Sequence, residues 1–147
     1  MEILSKSTED TKNLVRSLIQ PIKPGTIILL HGDLGSGKTT FTRYLVESLG
    51  FDSKVQSPTF VLMRQYKASN AKSDIHKINH LDLYRLSSLD EAEDLGLLEL
   101  LSDTSAITIV EWPETALPIF DKFGKKVINV YFEYLSMNER RIKVKGI

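Results

Sequence analysis

Cysteine is absent from the 147-residue sequence, so the chain can form neither disulfide bonds nor metal sites built on thiolates. This absence is typical of proteins that work in a reducing compartment. Residues 1–10 lack the apolar core of a secretion signal, and no stretch is apolar enough to cross a membrane. We therefore expect a soluble, cytoplasmic protein that makes no membrane contact.

Net charge is also missing, because 19 Lys and Arg residues balance 19 Asp and Glu residues. The chain as a whole therefore lacks the basic excess that marks nucleic-acid-binding and membrane-binding proteins. The charges are nevertheless segregated. An acidic segment, residues 82–103, has seven acids and one arginine, and a basic tail, residues 122–147, has seven bases and two acids. Such segments are either solvated faces or docking surfaces.

A phosphate-loop pattern stands at residues 32–39, which read Gly-Asp-Leu-Gly-Ser-Gly-Lys-Thr and match G-x-x-x-x-G-K-[ST] in full. Backbone N–H groups of such a turn surround the phosphates, and the following helix directs the positive end of its dipole at them. Glycine is needed where φ is positive and where the backbone must approach the phosphates closely. We predict nucleotide contacts from Asp33, Leu34, Gly35, Ser36, Gly37, Lys38, Thr39 and Thr40.

The surroundings of the loop fit this interpretation. An apolar, β-branched run at residues 26–30 follows Pro24-Gly25, and residues 40–49 have a helical pattern that Gly50 closes. Strand, loop and helix in this order are the context that the motif requires. In that context Lys38 places a positive charge on the terminal phosphates, and the Thr39 hydroxyl binds Mg²⁺.

Two acids at strand ends are candidates for the carboxylate that completes such a site. Glu111 follows the apolar run 107–110, which is typical of a buried parallel strand, whereas Asp82 follows the less apolar residues 78–81. We assign Glu111 to the metal, directly or through water. Asp82 either orients the attacking water or completes the metal shell. The predicted catalytic residues are Lys38, Asp82 and Glu111, and the predicted metal ligands are Thr39 and Glu111.

Two further residues are expected at the nucleotide. Thr59 lies in a segment after the phosphate-loop helix, where nucleotide switches place a group that senses the γ-phosphate. Trp112 directly follows Glu111 and would stack over or near the nucleotide. His80 shares a strand face with Asp82, but two ligands without a third do not predict a metal site.

Hydrophobic periodicity and length indicate the fold class. At 147 residues the chain is large enough for one domain and too short for two. We expect a single α/β three-layer P-loop domain over residues 1–147, with a mixed, mostly parallel sheet because a central hairpin and the tail must pair antiparallel. The predicted strands are 3–4, 26–30, 60–66, 75–82, 106–110, 127–134 and 140–144; the predicted helices start at Ser7, at Thr40 and at Ser88, the last with a break at Gly96.

Four stretches together resemble one family. They are residues 32–40, Ser57-Pro58-Thr59, His80-Leu81-Asp82-Leu83-Tyr84-Arg85 and Val110-Glu111-Trp112-Pro113. In this order and spacing they resemble the bacterial TsaE (YjeE) family, the P-loop ATPase of the tRNA threonylcarbamoyladenosine system. The resemblance covers nearly the whole chain. Ser36 lies where the family often has Ala, and the residues after Glu114 follow no family pattern.

The resemblance implies ATP and Mg²⁺ as cofactors and TsaD and TsaB as protein partners. With them, the family serves the attachment of a threonylcarbamoyl group to the adenosine beside the tRNA anticodon, and tRNA is expected to be contacted only through the complex. ATP hydrolysis is expected to be slow in the isolated protein and faster with the partners. The functional residues of the family fall on Lys38, Thr39, Thr59, Asp82, Glu111 and Trp112.

Other functions share a phosphate loop. A small-molecule kinase also needs an acceptor pocket and usually an arginine-rich lid, whereas the six arginines of this chain are scattered. A GTPase would carry an Asn-Lys-x-Asp segment, which the sequence lacks. A nucleotide-dependent assembly switch with little turnover is the non-enzymatic alternative.

Overall fold

The computed structural model describes residues 1–52, 55, 63–67 and 74–146. Within these ranges helices lie on both sides of one sheet. The strands are β1 (Glu2–Ser5), β2 (Ile27–His31), β3 (Met63–Lys67), β4 (Lys77–Asp82), β5 (Ala106–Glu111), β6 (Val127–Ser136) and β7 (Glu139–Lys145). The helices are α1 (Thr8–Leu18), α2 (Lys38–Ser48), α3 (Leu89–Asp94), α4 (Leu97–Leu101) and α5 (Leu117–Asp121).

The sheet has the strand order β1-β7-β6-β2-β5-β4-β3. The four neighbouring strands β6, β2, β5 and β4 are parallel to one another. Antiparallel pairs flank them, β4 with β3 on one side and β6 with β7 and then β1 on the other. Five of the seven described strands therefore run in one direction. The prediction of a mixed, mostly parallel sheet is confirmed, as are its two antiparallel parts.

Each face of the central strands packs against a separate set of helices. Successive side chains of a strand point to opposite faces, and in β2 Ile28 and Leu30 join the core against α1 and α2. Ile27 and Leu29 join the core against α3, α4 and α5. Strand β5 is buried along its whole length, as a central parallel strand covered on both faces must be. The arrangement is the predicted three-layer α/β fold.

Serine caps begin α1 and α3, as their sequence patterns predict. The Ser7 side chain accepts a hydrogen bond from the Asp10 N–H, and the Ser88 side chain accepts one from the Glu91 N–H. In a standard capping box, the acid three residues after the cap accepts a hydrogen bond from the N–H of the cap residue itself. Here the Asp10 carboxylate accepts from the Lys6 N–H, one residue before the cap. Glu91 accepts from the Ser87 N–H in the same way.

Gly96 separates α3 from α4, as predicted, with a left-handed φ of 76°. The sequence predicts no helix between β5 and β6, and here the structure adds α5 and two short 3₁₀ helices, Pro113–Ala116 and Gly124–Lys126. These elements are too short to display a helical period. Part of the predicted strand 60–66 and the loop after it lie outside the described residues. No helix within the described ranges is long and apolar enough to span a bilayer.

Candidate functional site

The phosphate loop connects the end of β2 to the start of α2. Gly37 caps α2 with φ 108° and Gly35 has φ 75°, so both adopt the left-handed conformation that favours glycine. At Gly32 space is the constraint, because an added Cβ would lie 2.7 Å from Ser36 Oγ and 2.9 Å from the Phe132 carbonyl oxygen. The loop therefore needs its glycines for both of the reasons that the motif predicts.

Lys38 is the first residue of α2, and its side chain is only 5% exposed. Its Nζ donates a hydrogen bond to the Gly32 carbonyl oxygen at 2.6 Å and lies 4.0 Å from the centre of the Trp112 ring. Burial lowers the pKa of Lys38, and the nearby carboxylates of Glu111 and Asp82 oppose that shift. The lysine thus holds its charge beside the loop at an energetic cost that a bound anion would relieve.

Asp82 and Glu111 are brought side by side by the parallel pairing of β4 with β5. They are paired in register at the carboxyl ends of the two strands, and both are buried. Asp82 Oδ1 accepts a hydrogen bond from the Tyr84 N–H at 2.9 Å. Both acids border a cavity of about 230 Å³, which is lined by Leu34, Gly35, Gly37, Lys38, Thr39, Thr40, Asp82, Glu111, Trp112 and Arg140.

Trp112 has the left-handed backbone conformation, with φ 55° and ψ 58°, and is the one described residue other than glycine with positive φ. This conformation is unfavourable for a bulky residue. The indole is held between Lys38 and the ring of Tyr84, whose centre is 5.0 Å from its own. The turn ends β5 at Glu111 and places the indole over the lysine instead of continuing the strand.

The described residues contain no group of three or more His, Cys, Asp or Glu side chains able to hold a metal by themselves. A divalent cation at this site would need oxygen ligands from elsewhere. The Thr39 hydroxyl and the Glu111 carboxylate border the cavity, and a nucleotide would bring phosphate oxygens. These hard oxygen donors fit Mg²⁺, which prefers one or two protein ligands together with substrate phosphates.

A buried chain of hydrogen bonds behind Glu111 escaped the sequence analysis. Glu111 Oε2 lies 2.9 Å from Nε2 of His80, and Nδ1 of His80 lies 3.1 Å from the Tyr66 hydroxyl. His80 is 0% exposed and Glu111 is 4% exposed. The shared face of His80 and Asp82 was visible in the sequence, but the contact with Glu111 depends on the neighbouring strand.

A second cavity, of about 250 Å³, lies beside the first and was also missed. Gly37, Thr40 and Arg140 border both cavities. The remaining lining comes from the start of α1 and the turn between β6 and β7, which are far apart in the sequence: Ser5, Lys6, Ser7, Thr8, Thr11, Met137 and Asn138. Only the fold brings these segments to the phosphate loop, so no local pattern could have indicated them.

Arg140 is held by its own hairpin at the rim of both cavities. Its Nη1 donates to the carbonyl oxygens of Ser136 at 2.6 Å and Glu139 at 3.2 Å. Its guanidinium carbon lies 4.6 Å from the centre of the Tyr134 ring. Carbonyls and a ring orient the guanidinium without neutralising its charge, which suits contact with an anion.

Most of the predicted site residues meet at the first cavity. Asp33 is exposed and does not border it. Ser36 is buried, and its Oγ lacks a hydrogen-bond partner among the described residues. Thr59 lies outside the described residues. The functional roles of all of these residues, and nucleotide contacts from the loop backbone at Asp33 and Ser36, stay predictions.

Comparison with known proteins gives a consistent result. The model of the family described as "Threonylcarbamoyl adenosine biosynthesis protein TsaE" matches residues 5–142. Proteins named tRNA threonylcarbamoyladenosine biosynthesis protein TsaE are similar along most of their length. The one from Rickettsia conorii is 41% identical over 135 residues, which cover 91% of this chain and 71% of the relative. The one from Aquifex aeolicus is 34% identical over 145 residues, which cover 97% and 94%.

A solved structure shares the fold. The crystal structure of Bacillus subtilis YdiB superposes with a TM-score of 0.69 at 26% sequence identity. The match covers 97% of this chain and 82% of the YdiB chain.

Proposed function

The chain belongs to the TsaE family of threonylcarbamoyladenosine biosynthesis proteins, and from this premise we propose that it binds and hydrolyses ATP with Mg²⁺. We propose further that it does so together with TsaD and TsaB during the modification of tRNA, and that it contacts tRNA only through these partners. The observation that carries the proposal is the meeting of Lys38, Asp82 and Glu111 at one cavity beside the start of α2.

The loop and the start of α2 would bind the triphosphate. Backbone N–H groups and the helix dipole attract the phosphates, and Lys38 adds a full positive charge. The buried ammonium supports this assignment, because its pKa is lowered mainly by desolvation, and an anion beside it would remove that penalty. Arg140, which borders the same cavity, would add a second positive charge to the phosphates.

Thr39 and Glu111 would hold the metal, Glu111 directly or through water. Mg²⁺, when bound, supplies positive charge that offsets the charge developing on the terminal phosphates. Asp82 is fixed by the Tyr84 amide and either orients the attacking water or completes the metal shell. Trp112 closes one side of the cavity and keeps bulk water from Lys38.

The second cavity would receive the nucleoside part of ATP. It adjoins the phosphate loop at Gly37 and Thr40, and it is lined by hydroxyl and backbone groups from the start of α1 and by the β6–β7 turn. In this proposal the triphosphate would lie in the first cavity and the ribose and base in the second, and Arg140 borders both cavities.

The experiment is steady-state phosphate release from ATP and Mg²⁺ without any added acceptor, measured for the wild type, Glu111→Gln and Asp82→Asn. We expect slow release by the wild type and a loss of about 10²-fold or more in kcat for each variant, the range for removing a group that positions or activates the reacting water. Glu114→Gln is the matched control, since it removes a nearby acid that does not border the cavity.

Normal turnover in both Glu111→Gln and Asp82→Asn would refute these roles. Nucleotide binding without phosphate release would support the assembly switch. Formation of ADP that requires an acceptor, with the phosphoryl group transferred to that acceptor instead of released, would support a kinase.

A further inference from the structure

We propose that His80, supported by Tyr66, is a positioning residue that fixes the Glu111 carboxylate for work in the first cavity. This inference rests on the proposed function, because it concerns the same carboxylate. It assigns a role to two buried residues that are not among those lining the cavity.

The three residues lie on one face of three neighbouring strands. Tyr66 on β3 pairs with Ile78 on β4, and His80 is two residues further along that strand. His80 in turn pairs with Ile109 on β5, two residues before Glu111. Because residues two apart share a face, Tyr66, His80 and Glu111 form a diagonal row toward the carboxyl ends of the parallel strands. The row ends at the cavity.

The hydrogen-bond geometry limits what each partner can do. A carboxylate oxygen accepts, so the bond to Glu111 Oε2 requires a hydrogen on Nε2 of His80. When Nε2 carries the only ring hydrogen, Nδ1 accepts from the Tyr66 hydroxyl. In the proposed arrangement Tyr66 thus supports the tautomer that Glu111 needs.

Burial makes this arrangement restrictive. His80 is 0%, Glu111 4% and Tyr66 5% exposed, so bulk water cannot replace either hydrogen bond. A bond from an imidazole to a carboxylate is charge-assisted and well defined in direction. With Oε2 held by His80, Oε1 has no hydrogen bond to any described residue, and it is the oxygen left for a ligand or water in the cavity.

Asp82 provides the internal contrast. Its Oδ1 accepts a hydrogen bond from the backbone amide of Tyr84, and this bond does not involve His80. Loss of His80 should therefore disturb Glu111 and leave the bond between Tyr84 and Asp82 in place.

The test compares His80→Leu, which removes the donor, with His80→Gln, whose side-chain amide keeps an N–H near the position of Nε2. We expect His80→Leu to lower kcat for ATP hydrolysis by about 10- to 100-fold, the usual effect of removing the partner of a ligating group. KM for ATP should change by less than about threefold, because the phosphate loop is untouched. His80→Gln should recover most of the loss.

Tyr66→Phe should have a smaller effect, of about three- to tenfold, because the imidazole remains and can still donate to Glu111. Asn79→Leu is the matched control. Asn79 is a fully buried polar residue on the same strand, but its side chain bonds to Gln65 on the other face. If general damage to β4 explained the loss of activity, Asn79→Leu would reproduce it.

Two readouts do not depend on turnover. Mn²⁺ affinity, measured by electron paramagnetic resonance with a non-hydrolysable ATP analogue, should fall about 10-fold or more in His80→Leu and recover in His80→Gln. In ¹⁵N-labelled protein, the His80 ring should show hydrogen on Nε2, and its signal should shift in Glu111→Gln.

A wild type that binds the analogue but does not hydrolyse ATP would refute the proposed function and leave these two readouts to judge His80. The inference is overturned if His80→Leu keeps wild-type Mn²⁺ affinity, if His80→Gln is no better than His80→Leu, or if the hydrogen resides on Nδ1. If His80→Leu does not fold, the activities of His80→Gln and Tyr66→Phe and the His80 ring signal still test the inference.

Discussion

Lys38 illustrates, at the scale of one residue, how a binding site can cost stability. Its ammonium is buried and its pKa is lowered, so the charged form is less favourable in the folded chain than in water. The hydrogen bond to Gly32 and the contact with Trp112 offset part of this cost. In the absence of a nucleotide the residue therefore stores unfavourable energy that phosphate binding would release.

Lys38→Met should abolish ATP binding and leave the nucleotide-free protein at least as stable as the wild type. Methionine has a similar length and no charge to desolvate. Thermal unfolding checks both parts, since ATP at about 100 times its Kd should stabilise the wild type by about 2.7 kcal/mol and the variant not at all. Lys12→Met is the matched control, because Lys12 also lies over an aromatic ring, that of Tyr44, but away from the cavities.

The pH dependence of the stability difference between Lys38→Met and the wild type follows from the lowered pKa of Lys38. A lysine whose pKa is lowered by folding destabilises the fold fully below its folded-state pKa, and the penalty disappears as the pH rises from there to the pKa of the unfolded chain. The advantage of Lys38→Met should therefore shrink over the same pH range. A variant that is less stable than the wild type at neutral pH, or that still gains stability from ATP, would contradict this account.

Local pattern was sufficient for some residues of the site and not for others. The loop glycines, Lys38 and the two strand-end acids were predictable, because each follows from the sequence immediately around it. His80 carried only the weak signal of sharing a face with Asp82. Its partners Tyr66 and Glu111 depend on the register of three strands, which no single segment encodes.

At the scale of elements, the hairpin of β6 and β7 contributes to the lining of both cavities. Adjacent residues of β7 point to opposite faces. Arg140 borders both cavities, whereas Arg141 forms ion pairs with Glu133 and Glu2 on the outer face. Strand β7 thus supplies one arginine to the cavities and another to the surface.

Arg140→Ala should weaken ATP binding by roughly 10- to 100-fold, the usual cost of losing a hydrogen bond to a charged group. The ATP affinity of Arg140→Lys should lie between those of the wild type and Arg140→Ala, because lysine keeps the charge but not the planar guanidinium. Arg141→Ala is the control and should bind ATP normally. Isothermal titration with ATP measures the affinities of all three variants. Equal affinities for Arg140→Ala and Arg141→Ala would show that Arg140 does not contribute to ATP binding.

Elements were predictable in proportion to their length and periodicity. The helix after the phosphate loop and the buried, mostly apolar β5 have clear patterns, and the capping serines indicate the starts of α1 and α3. The segment between β5 and β6 has no such pattern, because α5 spans only Leu117–Asp121 and its buried residues Ile119 and Phe120 are adjacent. Two neighbouring apolar residues define no period, so only packing against the rest of the core identifies the helix.

At the scale of the whole molecule, the strand order separates the two charged segments. The acidic segment forms α3 and α4, which pack on the face of the sheet opposite α1 and α2. The basic tail forms β6 and β7, beyond β2 in the strand order. Neutral net charge therefore conceals an uneven surface. The sequence predicted a mixed, mostly parallel sheet with an antiparallel hairpin and an antiparallel tail, but the order of the strands depends on contacts across the whole chain.

The positive charges already present at the first cavity lead to a prediction about the size of any activation by partners. If TsaD and TsaB act with this protein, their addition should accelerate ATP hydrolysis. The site already contains Lys38 and Arg140, so the partners need not supply an arginine. An arginine from a partner is worth about 10³- to 10⁵-fold in related phosphoryl-transfer systems. With Arg140 already bordering the cavity, we expect an acceleration below that range, by ordering of the site on docking.

The acidic segment is the surface we expect the partners to contact. Steady-state phosphate release should therefore rise with partner concentration, and the concentration for half-maximal effect should increase with salt, because salt screens exposed charges over about 10 Å at 0.1 M. Glu93→Lys, an exposed residue of α3, should raise that concentration further, whereas Glu47→Lys on α2 makes the same charge change away from the segment and should not. Equal rates across a titration that demonstrably forms the complex would refute partner activation, and equal behaviour of the two variants would place the contact elsewhere.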